Sequence, residues 1–400
     1  MAQLTAPPER LHPAAPPRRH LDFDQAPFIA IWETTQACDL ACKHCRAMAQ
    51  PLRHPLELTT DEAKAMMRRL REFGQIVFVF SGGDCFKRPD IVELVGYGAE
   101  LGMRMGITPA TTAIATPELL RELKDVGLTR LAVSLDGSNA GLHDEFRRVD
   151  GSFDHGLRLL RQAQEVGLTT QVNTVIRKAN IADMDAMTEL MTTLGVVFWE
   201  VFFLVPMGRA KADDVASAEE FEQVFNQLYD LSKTAPFDIK ATAAPQYSRV
   251  VMQRKRAEVR AGADEDVREV MTRGMHYSQS DGIGRARNVN DGDGFIFISH
   301  TGDVYPSGFL PVKAGNIRED DIIDIYRTSP IFRELRDRTL LKGKCGVCGF
   351  RDACGGSRAR AYAMTGDHLA EEPFCAHVPP QLREGVHQAN RHPAAGPATR

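Results

Sequence analysis

The chain has 400 residues, 43% of them hydrophobic and 26% charged, with a formal net charge of −4. That length exceeds one average domain and the balance is that of an ordinary globular protein, so a large domain plus a smaller one is expected. A mildly acidic chain gives no reason to expect nucleic acid or an anionic membrane as partner, and no apolar run approaches the roughly 18 residues of a membrane-spanning helix.

Residues 1–26 are rich in proline and arginine and contain no apolar core, which excludes a secretory signal and predicts a disordered lead. From 27 to 215 one unit recurs. Short β-branched or aromatic runs (FIAIW, IVFVFS, a weaker one near Met103–Thr108, LAVSLD, TQVNTVI and FWEVFFLV) alternate with longer segments of helical period. The helical segments end alike, at Gly74, Gly102, Gly127, Gly167 and Gly195, each suited to the left-handed position that stops a helix. Thr59 with Glu62 reads as a capping box, and Thr116-Pro117 as a capped start with proline at the first helical position. Six strands separated by helices must run parallel with right-handed crossovers. Residues 216–294 turn helical and charged, with basic stretches RKRAEVR and GIGRARN. Residues 295–380 open on a hairpin-like FIFISHTGDVYPSGFL with Thr301-Gly302-Asp303 at its turn, continue into a cysteine-rich end and read as an appended module. Residues 381–400 read as a disordered tail.

Eight cysteines without an export signal predict a reducing, cytoplasmic location and argue against disulfides. Seven fall into two tight groups, the mark of metal ligation. Cys38, Cys42 and Cys45 follow the first strand as C-x3-C-x2-C. Three readings compete: a zinc site borrowing His44 or His54, a redox pair of Cys42 and Cys45, or an iron–sulfur cluster with one iron left without a protein ligand. The redox pair leaves Cys38 idle, and His44 is badly placed to share a metal with the cysteines on both sides. An open metal position is what a site needs to bind substrate.

Periodicity alone allows an open doubly wound sheet or a partial barrel. The motifs favour the barrel, because the cysteine triplet, Ser81-Gly82-Gly83-Asp84 and Ser134-Leu135-Asp136-Gly137 all fall where strands end, the place parallel α/β proteins use for active sites. The triplet after the first strand, with Gly82-Gly83-Asp84 after the second, resembles the radical S-adenosylmethionine (SAM) enzymes. The resemblance implies an α/β fold, a partial (β/α)6 TIM-like barrel. It also implies that SAM chelates the open iron of a 4Fe–4S cluster, whose electron cleaves the sulfonium to a 5′-deoxyadenosyl radical. By the same resemblance, Gly82, Gly83 and Asp84 (aspartate where the family commonly has glutamate) receive the methionine amine. Ser134, Asp136 and Asn173 contact SAM, Arg147 or Arg148 pairs with a carboxylate, and Pro206–Arg209 lies against adenine. Cys85, in the position the family usually gives to proline, is either a buried free thiol or a substrate-contacting one at the barrel mouth.

The second group, Cys345, Cys348, Cys354 and Cys375, is a closed set of four, which by spacing suits zinc or a cluster. Downstream of such a barrel it is similar to the SPASM or twitch modules that carry auxiliary 4Fe–4S clusters. Four cysteines, with Ser307 where relatives often have another, imply one auxiliary cluster. SPASM-bearing enzymes divide mostly into those that modify tetrapyrrole side chains in haem-related biosynthesis and peptide maturases. The HDEFR…GSF…GL stretch and the single-cluster ending favour the tetrapyrrole group. Flavodoxin or ferredoxin is the expected reductant. A non-catalytic iron–sulfur electron carrier is the alternative of another class, but it would not need a SAM cradle.

Overall fold

The computed structural model describes residues 22–262, 275–277, 283–286 and 289–383, and in it the apolar runs of the first half become parallel strands. The order is β1 (Ile29–Glu33), α1 (Thr60–Arg71), β2 (Val77–Ser81), α2 (Ile91–Glu100), β3 (Arg104–Ile107), α3 (Pro117–Asp125), β4 (Arg130–Ser134), α4 (Ala140–Arg147), α5 (Ser152–Glu165), β5 (Thr169–Ile176), α6 (Met184–Leu194) and β6 (Phe198–Phe203). Thr59 caps α1 in a reciprocal box with Glu62, and Thr116 accepts from Leu119 N with Pro117 at the start of α3. Gly74, Gly102, Gly127, Gly167 and Gly195 all have positive φ, so the helix stops read from the sequence are formed. The helices pack by their apolar stripes. α1 buries Ala63, Met66, Met67 and Leu70, side chains that recur at three and four residues.

Strand alternation sorts two faces. Ala30 and Trp32 of β1, and Trp199, Val201 and Phe203 of β6, are buried in the core beneath the helices. Their neighbours Glu33, Glu200 and Phe202 therefore point to the concave side. Burial of each large apolar side chain contributes about 1.5–3 kcal/mol, so this layer carries most of the fold's stability.

Two features depart from the sequence reading. A seventh parallel strand, β7 (Asp238–Thr242), pairs with β6 inside the stretch read as helical, between α7 (Ala218–Leu231) and α8 (Gln246–Arg260). Its sequence, DIKAT, buries only Ile239, so it lacks the apolar run that announces the other strands. After the two-stranded β8 (Met275–Tyr277) and β9 (Gly284–Ala286), the C-terminal hairpin does not stand apart. β10 (Phe295–Ile298) pairs in parallel with the free edge of β1, and β11 (Asp303–Tyr305) and β12 (Gly315–Asn316) extend the sheet antiparallel. The sheet order is β12-β11-β10-β1-β2-β3-β4-β5-β6-β7. Covering the β1 edge satisfies a row of backbone groups that would otherwise invite pairing with another chain. The hairpin turns at Gly302, φ 88°, as its Thr-Gly-Asp motif suggests.

Helices α9 (Ile322–Thr328), α10 (Pro330–Arg336), α11 (Gly343–Gly346) and α12 (Arg358–Thr365) complete the chain. Arg360 ties this end to the barrel. Its Nε donates to Glu372 Oε1 at 2.9 Å, both side chains being fully buried, and its Nη1 donates to the carbonyls of Phe203 and Leu204 at the end of β6. The last residues of the proline-rich lead are ordered. Phe23 is buried, and its carbonyl accepts from Tyr326 Oη at 2.7 Å. Residues 1–21 of that lead, residues 384–400 of the tail and the side chains of GIGRARN beyond Ile283 lie outside the described residues.

Candidate active site

The cysteine triplet sits on a loop that leaves β1 and is pinned at both ends. Cys38 N donates to Gln50 O at 2.8 Å, and Gln50 N donates to Gln36 O at 2.9 Å. The β2 end locks onto the same loop: Gly83 N donates to Thr35 O and Asp84 N to Ala37 O, both at 2.7 Å. The two glycines are required by this approach. A Cβ at Gly82, where φ is 132°, would lie 2.5 Å from Thr35 O, and one at Gly83 would overlap the carbonyls of Ala37 and Gln36. Asp84 is buried and caps the short turn at Cys85, with Oδ1 accepting from Phe86 N and Oδ2 from Thr112 Oγ1 at 2.7 Å. Burial pushes its carboxyl above the usual range despite those donors.

Each sulfur of the triplet has a donor. Leu40 N reaches Cys38 Sγ at 3.3 Å, Ala49 N reaches Cys45 Sγ at 3.4 Å, and Arg147 Nη1 reaches Cys42 Sγ at 3.7 Å. Burial pushes the Cys38 thiol up to about 11, so it needs a bound metal to be a thiolate at neutral pH. Donors aimed at sulfur are the arrangement that lowers the cost of thiolate charge at a cluster. His44 is held flat against Phe146, ring centroids 4.2 Å apart, and burial followed by the Arg147 charge lowers its pKa to about 3. It is therefore neutral.

Arg147 is aimed by Asp136. Its Nε and Nη2 donate to Asp136 Oδ2 at 2.7 and 2.6 Å, while Asp136 Oδ1 accepts from Val175 N at 2.8 Å. Asp136 is fully buried with both oxygens engaged. Burial opposes its charge, but Arg147 and the neighbouring histidines hold its carboxyl below the usual range. Ser134 lies beside Asn173 in the β4–β5 register, both half-buried on the concave side, and Asn173 Oδ1 accepts from Gln171 Nε2 at 2.7 Å. Arg148 is the left-handed cap of α4 and has no part in the Arg147 network. Cys85 is fully buried in the main core, a packed thiol.

Two residues of this region escaped sequence reasoning. Glu33, at the end of β1, accepts from Arg46 Nη1 at 2.8 Å and contacts His300 Nδ1 at 2.9 Å. Arg46 also stacks on Phe297, 4.3 Å from the ring centroid, so the cluster loop, β1 and β10 are joined. A charged residue closing an apolar strand was the available signal. Arg209 belongs to the Pro206–Arg209 stretch that the resemblance sets against adenine. It follows Gly208, which packs on the cluster loop, and its Nε and Nη2 are buried without a partner.

The second cysteine group lines one small pocket, to which Cys345, Cys348, Cys354 and Cys375 all contribute. Glu372 N, Phe350 N and Gly356 N donate to Cys345, Cys348 and Cys354 at 3.3–3.4 Å, and the buried Arg358 reaches Cys345 Sγ at 3.8 Å. Among the described residues, no three His, Cys, Asp or Glu side chains converge as a site for one metal ion. Backbone N–H donors aimed at the sulfurs, with no convergence on a single ion, fit a cluster better than zinc. All eight cysteines are free of disulfides.

Basic residues of α8 are engaged within the fold. Arg249 pairs with Glu222, Arg254 with Asp230, both on α7, and Arg256 lies over Phe350. No helix among the described residues is long and apolar enough to cross a membrane.

Residues 32–191 match the radical SAM superfamily, and residues 291–349 match SPASM, an iron–sulfur cluster-binding domain. The chain is 40% identical to the AdoMet-dependent heme synthase of Nitratidesulfovibrio vulgaris, over 93% of this chain and 98% of that one. It is 31% identical to the Fe-coproporphyrin III synthase of Methanosarcina barkeri, over 88% of each chain. SAM-bound SuiB of Streptococcus suis shares the fold, with a TM-score of 0.68 at 16% identity over 88% of this chain and 78% of that one. The chain belongs to the radical SAM superfamily, as a SPASM-bearing enzyme that uses SAM and 4Fe–4S clusters, in the group that contains the AdoMet-dependent heme synthases.

Proposed function

We propose that this enzyme carries out a radical modification of a carboxylate-bearing tetrapyrrole in haem synthesis. The kinship with proteins named heme synthase and Fe-coproporphyrin III synthase supports the substrate class. The observation that carries it is the concave face itself. Phe202 packs with Phe309 and Phe297 with Tyr305 in aromatic pairs, and Arg209 brings two buried side-chain nitrogens without a partner. A flat apolar ring with carboxylate arms matches that combination.

In this reading Cys38, Cys42 and Cys45 hold the SAM-binding cluster, and Cys345, Cys348, Cys354 and Cys375 the auxiliary one. Bound there, cluster and SAM would supply adenosyl-radical chemistry, with a flavodoxin or ferredoxin as the source of the electron. The chain's own residues orient and exclude water. Gly82 and Gly83 let β2 approach the loop, and Asp84 keeps the β2 end in place. Ser134 and Asn173 present polar groups to SAM, and Arg147, held by Asp136, stands by Cys42 for a carboxylate. Asp136, with both oxygens engaged, thus acts through Arg147 and not by touching SAM itself. Eight unpaired cysteines suit a reducing cytoplasm.

The test has two arms. Alanine at Cys38, Cys42 and Cys45 should abolish 5′-deoxyadenosine formation with dithionite and leave about four irons, whereas alanine at Cys345 and Cys348 should halve the iron and spare SAM cleavage. An iron porphyrin with free carboxylates should bind with a spectral shift that weakens as salt rises, and its methyl ester should not. No shift with either, together with turnover of a peptide, would transfer the assignment to peptide maturation.

A further inference from the structure

Two side chains of α8 are unused by the chemistry above. Gln246 has no exposed surface and Arg249 is 2% exposed. They lie three residues apart, hence on one face of the helix, and both line the cavity bounded by Cys345, Cys348, Cys354 and Cys375. Neither amide atom of Gln246 has a hydrogen-bond partner, nor does Arg249 Nε, although all three are sealed from solvent. A buried polar atom left unpaired is costly, so the two donors among them, Gln246 Nε2 and Arg249 Nε, call for an acceptor the polypeptide does not supply. The remaining Arg249 nitrogens are spent: Nη1 donates to Glu222 Oε1 at 2.8 Å and Gln253 Oε1 at 2.7 Å, and Nη2 donates to Glu222 Oε2. Helix α8 falls between the two matched stretches, 32–191 and 291–349, so neither accounts for it.

We propose that Gln246 and Arg249 are positioning donors to the sulfurs of the auxiliary cluster and set its reduction potential. This rests on the reading of the four cysteines as that cluster's ligands. One-electron reduction of a 4Fe–4S centre from the 2+ to the 1+ core adds a negative charge to the cavity. A guanidinium and an amide N–H at its wall stabilise the more negative state and raise the potential. Glu222 opposes them, because it partly neutralises Arg249 from the far side. The three side chains therefore act with predictable and unequal signs.

The experiment is a dithionite titration of the anaerobically reconstituted full-length enzyme, followed by electron paramagnetic resonance. Added SAM identifies the barrel cluster by perturbing its signal alone. Gln246→Leu and Arg249→Gln should each move the auxiliary midpoint to lower potential, Arg249→Lys should recover part of the shift, and Glu222→Gln should move it higher. The barrel cluster should stay in place in all four. A purely structural role would lower iron content without this pattern of signs. Unmoved auxiliary potentials in Gln246→Leu and Glu222→Gln at full iron content overturn the proposal, and those two decide it if Arg249→Gln loses iron. Full iron retention in Cys345→Ala/Cys348→Ala would instead sink the ligand assignment beneath it.

Discussion

At Gly83 the chain has no room for a side chain, because the Gln36 and Ala37 carbonyls lie where a Cβ would go. Gly83→Ala should push the cluster loop away from β2, with loss of iron from the triplet and of 5′-deoxyadenosine formation. Gly102→Ala is the control. Its φ of 74° strains an L-residue by about 1–2 kcal/mol, but nothing lies within 4 Å, so iron should be retained. Iron analysis beside urea unfolding separates the two outcomes. His143 makes a second prediction. Burial, then the Arg147 charge, lower its pKa to about 4 from the usual 6.5, and its Nδ1 accepts from Asp136 N at 3.0 Å. Below pH 6.5 the unfolded chain therefore binds a proton that the folded chain refuses until about pH 4. Stability should fall across that window as pH drops, by about 1.4 kcal/mol per unit. His143→Asn keeps an acceptor and should show a urea midpoint less steep in pH by one proton. Equal slopes would refute the assignment.

Among the elements, α12 is joined to the barrel through Arg360, whose charge pair with Glu372 has no exposure. Removing one partner leaves the other buried alone, so Arg360→Ala should cost about 3–5 kcal/mol and free the backbone carbonyls of Phe203 and Leu204. Arg254→Ala breaks a pair on the outer side of α8 in which Asp230 is 60% exposed, and should cost less than about 1 kcal/mol. Denaturant midpoints of the two variants check the contrast. The helix boundaries were readable because caps, N1 proline and stop glycines are local. β7 was not, since DIKAT earns its place by pairing with β6 and carries too little apolar surface to be seen alone.

The sheet as a whole runs from the C-terminal hairpin to β7, with the cluster loop rising from β1 near its middle. Glu33 joins the parts, since it holds Arg46 of the loop and contacts His300 beyond β10. Burial works against its charge, yet Arg46 and His300 keep its carboxyl below the usual range. Glu33→Gln would leave Arg46 without its carboxylate. We expect a cost of about 3 kcal/mol and a joint loss of amide hydrogen-exchange protection in residues 36–50 and 295–305. Loosening of one segment alone would show that they are not coupled through Glu33.

Spacing along the chain was enough to identify the triplet, the glycine pair beneath it, the closed group of four and the repeating strand and helix. Those patterns are written in residues that are close in sequence, where coordination chemistry and helical period act directly. Only the tertiary structure decided that Cys85 is packed in the core, that Asp136 serves Arg147, that the C-terminal hairpin completes the barrel sheet at β1, and that Gln246 and Arg249 face the second cysteine group. Each of these depends on groups brought together from distant parts of the chain, and burial, which sets their charge and their need for partners, exists only once the chain has folded around them.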